Sequence, residues 1–398
     1  MNLSKDRENY HMDISPNLGE EISLLLLLLR EDTREDKLEG WLQKKRINWE
    51  TFIQMALHHR VYPLLYVRLN KLKSFSIPED VMIILKKKYQ QNVFLMLELT
   101  SEMEMIGKLF DENGIPALFL KGPILAEDIY GDISLRTSKD IDILISVEDI
   151  KPTEKFLKDF GYIKKEEKSI LNEDKWRSHH SVFFHPKYKF SLEVHWRLNE
   201  KPDIEPSFEI LWNRRRISNL TAQSINYLGR EDLFCYLISH GARHGWFRLR
   251  WLLDIVFILQ KGLIWDNYKR IIKEYSNEHL VGQTLILANR LFNTSLDKAY
   301  SSLLIKKSYK LAGLAIEFIK GSNIDQPFPK ELIPLHRQYT WALQKNLIQK
   351  FKYFIVLVYP SYKDFQSFEL PERVHFLYFP LRPFLFAGRK MNLLRIKE

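Results

Sequence analysis

The sequence predicts an α+β fold: a small mixed β-sheet core between an N-terminal and a C-terminal α-helical region. Three observations carry this prediction. Apolar residues recur at helical spacing before Gly114 and again after about residue 205. Between those limits the pattern breaks into short apolar runs separated by turns. One of those runs, Asp140-Ile-Asp-Ile-Leu-Ile145, alternates charge and hydrophobe with the period of two expected of a strand.

The elements follow in order. Residues 1–18 are polar, mixed in charge and read as a flexible leader, without the basic-then-apolar order of a secretory signal. Residues 19–113 form a helical lobe. Its Leu24–Leu29 run is six residues long, far short of the roughly 18–20 that a membrane span needs. Glu20 and Glu21 precede it and Glu31 and Asp32 follow, so it reads as a buried helix. Pro63 and Pro78 punctuate short helices, and Glu79–Asn113 is one long helix stopped by Gly114.

Residues 114–204 are the mixed core. Ile115–Leu120 reads as a buried strand, Lys121-Gly-Pro123 as a turn and Ile124–Tyr130 as a short helix. The aspartate strand comes next. Val147–Phe160 is an amphipathic helix, with Asp149 placed to cap it and Gly161 to end it. Ser181–His185 and Phe190–Trp196 are extended and flank the turn Pro186-Lys-Tyr-Lys189, a hairpin pattern. Residues 205–398 are read as helical throughout, with stripes at Arg230–Ala242, Arg250–Gln260, Trp265–Tyr275, Leu280–Phe292 and Tyr309–Lys320. From about 325 the chain is aromatic and basic and is broken by seven prolines, Pro327 to Pro383. Its aromatic side chains are expected in a core rather than stacked on nucleic-acid bases.

The chain carries 60 Lys and Arg against 50 Asp and Glu, a net charge of +10. That suits an anionic partner such as a nucleotide or RNA, although a generally lysine-rich composition gives the same balance. Cys235 is the single cysteine, which excludes an intramolecular disulfide and a cysteine zinc site. A cytoplasmic protein with no membrane association is expected.

The chemistry centres on Asp140 and Asp142. On a strand their carboxylates project from one face while Ile141 and Ile143 turn to the core. Like charges held so close call for a cation. Glu193 stands between Leu192 and Val194 on a later strand, sharing its face with His195. Lys121-Gly122 follows a buried strand.

Taken together, Leu120-Lys121-Gly122, Arg136, Asp140-Ile141-Asp142 and Leu192-Glu193-Val194-His195-Trp196 resemble the signature of an uncharacterised bacterial nucleotidyltransferase family. That family lies within the DNA polymerase β-like nucleotidyltransferase superfamily. The likeness continues through His240-Gly-Ala-Arg-His244-Gly-Trp246 and Trp251-Leu-Leu-Asp254, and more faintly upstream at Ala56-Leu-His-His-Arg-Val-Tyr-Pro63. One departure is that Gly122 is followed by proline instead of glycine or serine, with Asp140 eighteen positions on.

The resemblance implies transfer of a nucleoside monophosphate from an NTP to an unidentified acceptor, a small molecule, peptide or RNA, with release of pyrophosphate. It implies Asp140, Asp142 and Glu193 as catalytic ligands of Mg²⁺ or Mn²⁺, converging within one metal-binding distance. It implies Lys121, Gly122, Arg136, Ser138 and Lys139 as nucleotide contacts. His180, His195, His240 and His244 are candidates for supporting the ligands or touching the acceptor. His240 and His244 have the spacing of a metal pair, but without a His-Glu-x-x-His pattern they are read as structural or nucleotide-contacting. Asp254 is expected to pair with Arg248 or Arg250, or to take part in the helical packing. The alternative function is a catalytically inactive nucleotide- or RNA-binding module. A phosphohydrolase fits less well, since the expected His-Asp clusters are missing.

Overall fold

A computed structural model describes residues 18–30, 32–72, 77–165, 170–171, 178–200, 203–321 and 330–391. The leader read over residues 1–18 lies outside these except for Leu18, as do Pro327 and Pro329 of the tail.

The N-terminal helices are α1 (Glu20–Leu29), α2 (Glu35–Leu42), α3 (Trp49–His58), α4 (Tyr62–Lys71) and the long α5 (Glu79–Glu112). The leucine run lies in α1, where Leu24, Leu25, Leu26 and Leu28 are buried. No helix among the described residues is long and apolar enough to cross a membrane.

The core follows as β1 (Leu118–Phe119), α6 (Pro123–Tyr130), β2 (Asp140–Leu144), α7 (Ile150–Asp159), β3 (Ile163–Lys164), β4 (His180–Phe184) and β5 (Ser191–His195). Next come α8 (Phe208–Asn213), β6 (Arg216–Ser218) and β7 (Ile225–Tyr227). All seven strands form one mixed sheet in the order β3-β4-β5-β2-β1-β7-β6. The fold is α+β, as the sequence predicts.

The sheet extends past the expected boundary at 204, because β6 and β7 return to it and β7 pairs parallel with β1 at Phe119–Tyr227. The strand read at 115–120 shortens to two residues, although Leu120 N–H still donates to the Asp142 carbonyl at 2.9 Å. Asp149 does not cap α7 with its side chain; Val147–Asp149 is instead a turn of 3₁₀-helix leading into it. One core lies beneath the sheet, where Met103, Ile106 and Phe110 of α5 meet Phe119, Ile141, Ile143 and Val194. Burying this face holds β2 and β5 flat on α5 and leaves their other face for polar groups.

The C-terminal helices are α9 (Arg230–Arg243), α10 (Leu249–Gln260), α11 (Trp265–Tyr275), α12 (Glu278–Phe292), α13 (Lys306–Lys320), α14 (Ile333–Leu343), α15 (Leu347–Val358), α16 (Tyr362–Ser367) and α17 (Tyr378–Lys390). Of these, α9–α14 share a second core with α1–α4. The tail departs from expectation. Most of its aromatic and aliphatic side chains face solvent: α15 buries no residue, Leu347 is 81% exposed and Phe384 75%. Among the described residues a small cluster around Tyr378 and Leu385 closes there. Short proline-broken helices have too little continuous apolar face to build a core of their own.

Candidate active site

β2 and β5 run parallel in strict register, so Asp142 pairs with Glu193, Ile141 with Leu192 and Ile143 with Val194. The isoleucine, leucine and valine pairs point into the core. The alternate residues therefore line the opposite face, which brings Asp142 and Glu193 side by side. β4 pairs antiparallel on the far side of β5 and sets His180 opposite His195.

Asp142 is 1% exposed and faces two cationic groups. Lys121 Nζ donates to its Oδ1 at 3.4 Å, and His195 Nε2 lies 3.2 Å from the same oxygen. His195 Nε2 is also 3.4 Å from Glu193 Oε2, and His180 Nε2 is 3.9 Å from that atom. Burial pushes the Asp142 carboxyl up, but Lys121 and the His195 hydrogen bond outweigh it and hold the group far below the usual carboxylate range. Burial likewise opposes charge on Lys121 and His195. Asp142 outweighs it for the lysine, and hydrogen bonds to Asp142 and Glu193 do so for the histidine, so both are raised.

Asp142, Glu193 and His195 each offer a ligand atom within 4.8 Å of the others, and so do His179, His180 and His195. The expected convergence of three acids is therefore altered. Asp140 stands outside the group, and the third donor is an imidazole. Asp142 meets Lys121 and His195, while burial and then repulsion from Asp142 raise the Asp140 carboxyl. The donor set fits a divalent cation. Carboxylate oxygens suit Mg²⁺ or Mn²⁺, and an imidazole adds a nitrogen that Mn²⁺ accepts. His195 Nδ1 is buried without a hydrogen-bond partner among the described residues.

The expected nucleotide contacts separate. Gly122 adopts φ +86°, which favours glycine, and caps the N-terminus of α6 with Pro123 in the first turn. Proline costs nothing there, because the first N–H groups of a helix have no intrahelical acceptor. A Cβ on Gly122 would lie 3.7 Å from the Asp140 carbonyl, so the turn sits against the aspartate strand. Ser138 is buried and donates from Oγ to the Asp140 carbonyl at 3.3 Å; Lys139 is exposed.

Arg136 is not available to a phosphate. It is 1% exposed, and its Nε and Nη2 reach the two Asp254 carboxylate oxygens at 3.0 Å each. Tyr130 donates to the same carboxylate at 2.8 Å. A guanidinium buried this deeply needs a bidentate partner, and α10 supplies it. The expected pairing of Asp254 with Arg248 or Arg250 is thereby corrected.

Those two arginines lie elsewhere. Arg60, Lys139, Arg248 and Arg250 all act electrostatically with Asp140. Their crowding shows in the shifts. Burial and then Arg60 lower Arg248 to about 10, and Arg60 and then burial lower Lys139. Arg250 Nη1 donates to the Thr137 hydroxyl at 3.0 Å and also to its carbonyl. Arg60 and the arginine pair were missed as site residues in the sequence, although Arg60 lies in a stretch that resembled the family and Arg248 and Arg250 fall between two others.

His244 stacks on Trp251 and His240 meets that ring edge-on, the two imidazoles 4.8 Å apart, and neither belongs to a metal-holding group among the described residues. Burial, then the charge of Lys121, keeps His240 well below the ordinary histidine range.

A family model described as an uncharacterised nucleotidyltransferase matches residues 45–293 of this chain. Among solved structures, an antigenic nucleotidyltransferase-like protein from Paracoccidioides brasiliensis is similar at 16% identity and a TM-score of 0.32, covering 50% of this chain and 94% of that one. No curated protein matches.

Proposed function

Since the chain belongs to this uncharacterised nucleotidyltransferase family, whose model spans more than half of it, we propose that it moves a nucleoside monophosphate from an NTP to a nucleophile and releases pyrophosphate. The observation that carries the reading is the in-register pairing of Asp142 with Glu193, which sets two carboxylates side by side on adjacent strands. Asp142 and Glu193, with Asp140 and His195 beside them, would hold Mg²⁺ or Mn²⁺. Such an ion supplies positive charge to the transferring phosphate.

The chain's own residues account for the rest. Lys121 stands against Asp142 and neutralises phosphate charge. The α6 N-terminus behind Gly122 presents backbone N–H groups to an anion. Arg60, Lys139, Arg248 and Arg250 offer the triphosphate a cationic wall in place of Arg136. Glu193 Oε2 takes the proton of the attacking hydroxyl, with His195 and His180 beside it. A cytoplasmic setting suits the single buried cysteine.

The test is incubation of the protein with each α-labelled NTP and Mg²⁺ or Mn²⁺ against RNA, protein and metabolite fractions. Label on one fraction, with pyrophosphate released, is expected. Asp142→Asn and Glu193→Gln should each lower it by at least about a hundredfold with the circular dichroism unchanged. The second reading, a nucleotide-binding module without turnover, is favoured by the lysine and histidine that already neutralise Asp142. Metal-dependent NTP binding with no pyrophosphate from any fraction would establish that reading and sink the first.

A further inference from the structure

Three histidines meet at the open end of the β4–β5 hairpin, beside the acidic pair. The backbone holds them there. His180 opens β4 and stands opposite His195, which closes β5. His179 precedes the strand, and its carbonyl accepts the Trp196 N–H at 3.0 Å. Antiparallel pairing thus fixes the three backbone positions before any side chain is placed.

The side chains then converge. The rings of His179 and His180 are 4.6 Å apart, those of His180 and His195 4.8 Å, and those of His179 and His195 5.3 Å. These spacings are close to what one ion imposes on three imidazoles. A Zn²⁺–N bond of about 2.0–2.1 Å puts each ring centre roughly 3.2 Å from the ion. Two such rings lie about 5.2 Å apart at the tetrahedral angle and about 4.5 Å apart at a right angle. One nitrogen of each ring already lies within 4.8 Å of the others. Glu193 supplies a fourth donor, its Oε2 3.4 Å from His195 Nε2 and 3.9 Å from His180 Nε2. His179 is 6% exposed and His195 3%, whereas the side chains of His180 and Glu193 are 29% and 27% exposed. The group is therefore closed behind and open to water in front, where an ion can enter.

Three nitrogens and one oxygen describe that ion. Imidazole suits Zn²⁺, Co²⁺, Ni²⁺ and Cu²⁺, whereas Mg²⁺ prefers oxygen. The histidine group differs in kind from the acidic one, yet the two overlap. His195 belongs to both donor sets, and Glu193 reaches both. We propose that His179, His180 and His195, with Glu193 as fourth ligand, bind a zinc-type divalent ion, and that an ion there excludes the harder cation from Asp142 and Glu193. The exclusion rests on the metal reading of the acidic pair; the histidine site does not.

The metal alone serves as the probe. Calorimetric titration of the metal-free full chain with Zn²⁺ should show one site per chain. His179→Ala and His180→Ala should each weaken binding by at least about tenfold, since even a partner behind a metal ligand is worth that much. Should either variant fail to fold, the wild type decides: Cu²⁺ bound one to one should show electron-paramagnetic-resonance splitting from several imidazole nitrogens. No Zn²⁺ binding, binding that both variants leave unchanged, or a Cu²⁺ signal from oxygen ligands alone overturns the histidine site. The exclusion is read from the resonance of Mn²⁺, with an NTP and without one. Zinc loading should abolish the Mn²⁺ binding that the metal-free chain shows, and Mn²⁺ binding that survives it overturns the exclusion. A chain that binds Zn²⁺ through its histidines but never binds Mn²⁺ overturns the metal reading of the acidic pair, and the exclusion with it, while leaving the histidine site in place.

Discussion

Asp142 has almost no freedom of charge, because Lys121 and His195 meet it from two sides in a buried setting. Lys121→Met should therefore cost about 3–5 kcal/mol in urea unfolding, the penalty for stranding one partner of a buried pair. Unchanged stability would mean that His195 alone satisfies the carboxylate. His59 gives the opposite titration. It is fully buried, its Nδ1 accepts the Leu249 N–H at 3.3 Å, and burial with the neighbouring His58 keeps its pKa well below the ordinary value. The native chain thus refuses a proton that the unfolded chain accepts below about pH 6.5. Its contribution to stability is whole above that pH and falls as the pH drops. Unfolding at stepped pH should show His59→Asn losing less stability than wild type between about pH 7 and about pH 5. At this scale the acids were legible, since strand alternation fixes which side chains share a face. His195 was legible in the same way, two residues from Glu193. Arg60, Arg248 and Arg250 were not, because their nearness to Asp140 comes from packing between elements far apart in the chain.

The elements show where local pattern suffices. The 34 residues of α5 were read almost to the residue, because no proline interrupts them and Gly114 ends them. β6 and β7, three residues each, carry too little pattern to compete with the helices around them; pairing with each other and with β1 makes them strands. Helix packing then depends on details that periodicity does not reveal. A Cβ on Gly282 of α12 would lie 2.0 Å from the Leu303 carbonyl and 2.5 Å from Ser308 Oγ. Gly282→Ala should therefore destabilise by about 1–3 kcal/mol despite alanine's better helix propensity, a sign readable from a melting curve. At Gly122 the constraint is conformational. Gly122→Ala must hold a side-chain residue at φ +86°, at a cost of about 1–3 kcal/mol. It should also weaken NTP binding, measured by titration, because the turn and the α6 N-terminus shift together.

Across the molecule, the buried pair Arg136 and Asp254 ties the segment leading into β2 to α10. Arg136→Met should destabilise by about 3–5 kcal/mol, and Arg136→Met with Asp254→Leu should recover much of the loss, because no charge is then left buried alone. Additive losses would show that each side chain acts through packing. The sequence shows a change of texture at 204, whereas β6 and β7 return to the sheet beyond it and the partner of Arg136 lies on α10. The pair has a further consequence in time. Arg136 and Asp254 are 118 positions apart, so on a ribosome adding roughly 5–20 residues per second the guanidinium waits on the order of ten seconds for its carboxylate. During that interval the nascent chain holds the hydrophobic strands but not the counter-charge that lets them close. A vectorially made chain therefore cannot finish its centre first. The candidate site sets only once α10 has been made, with the helix that neutralises Arg136.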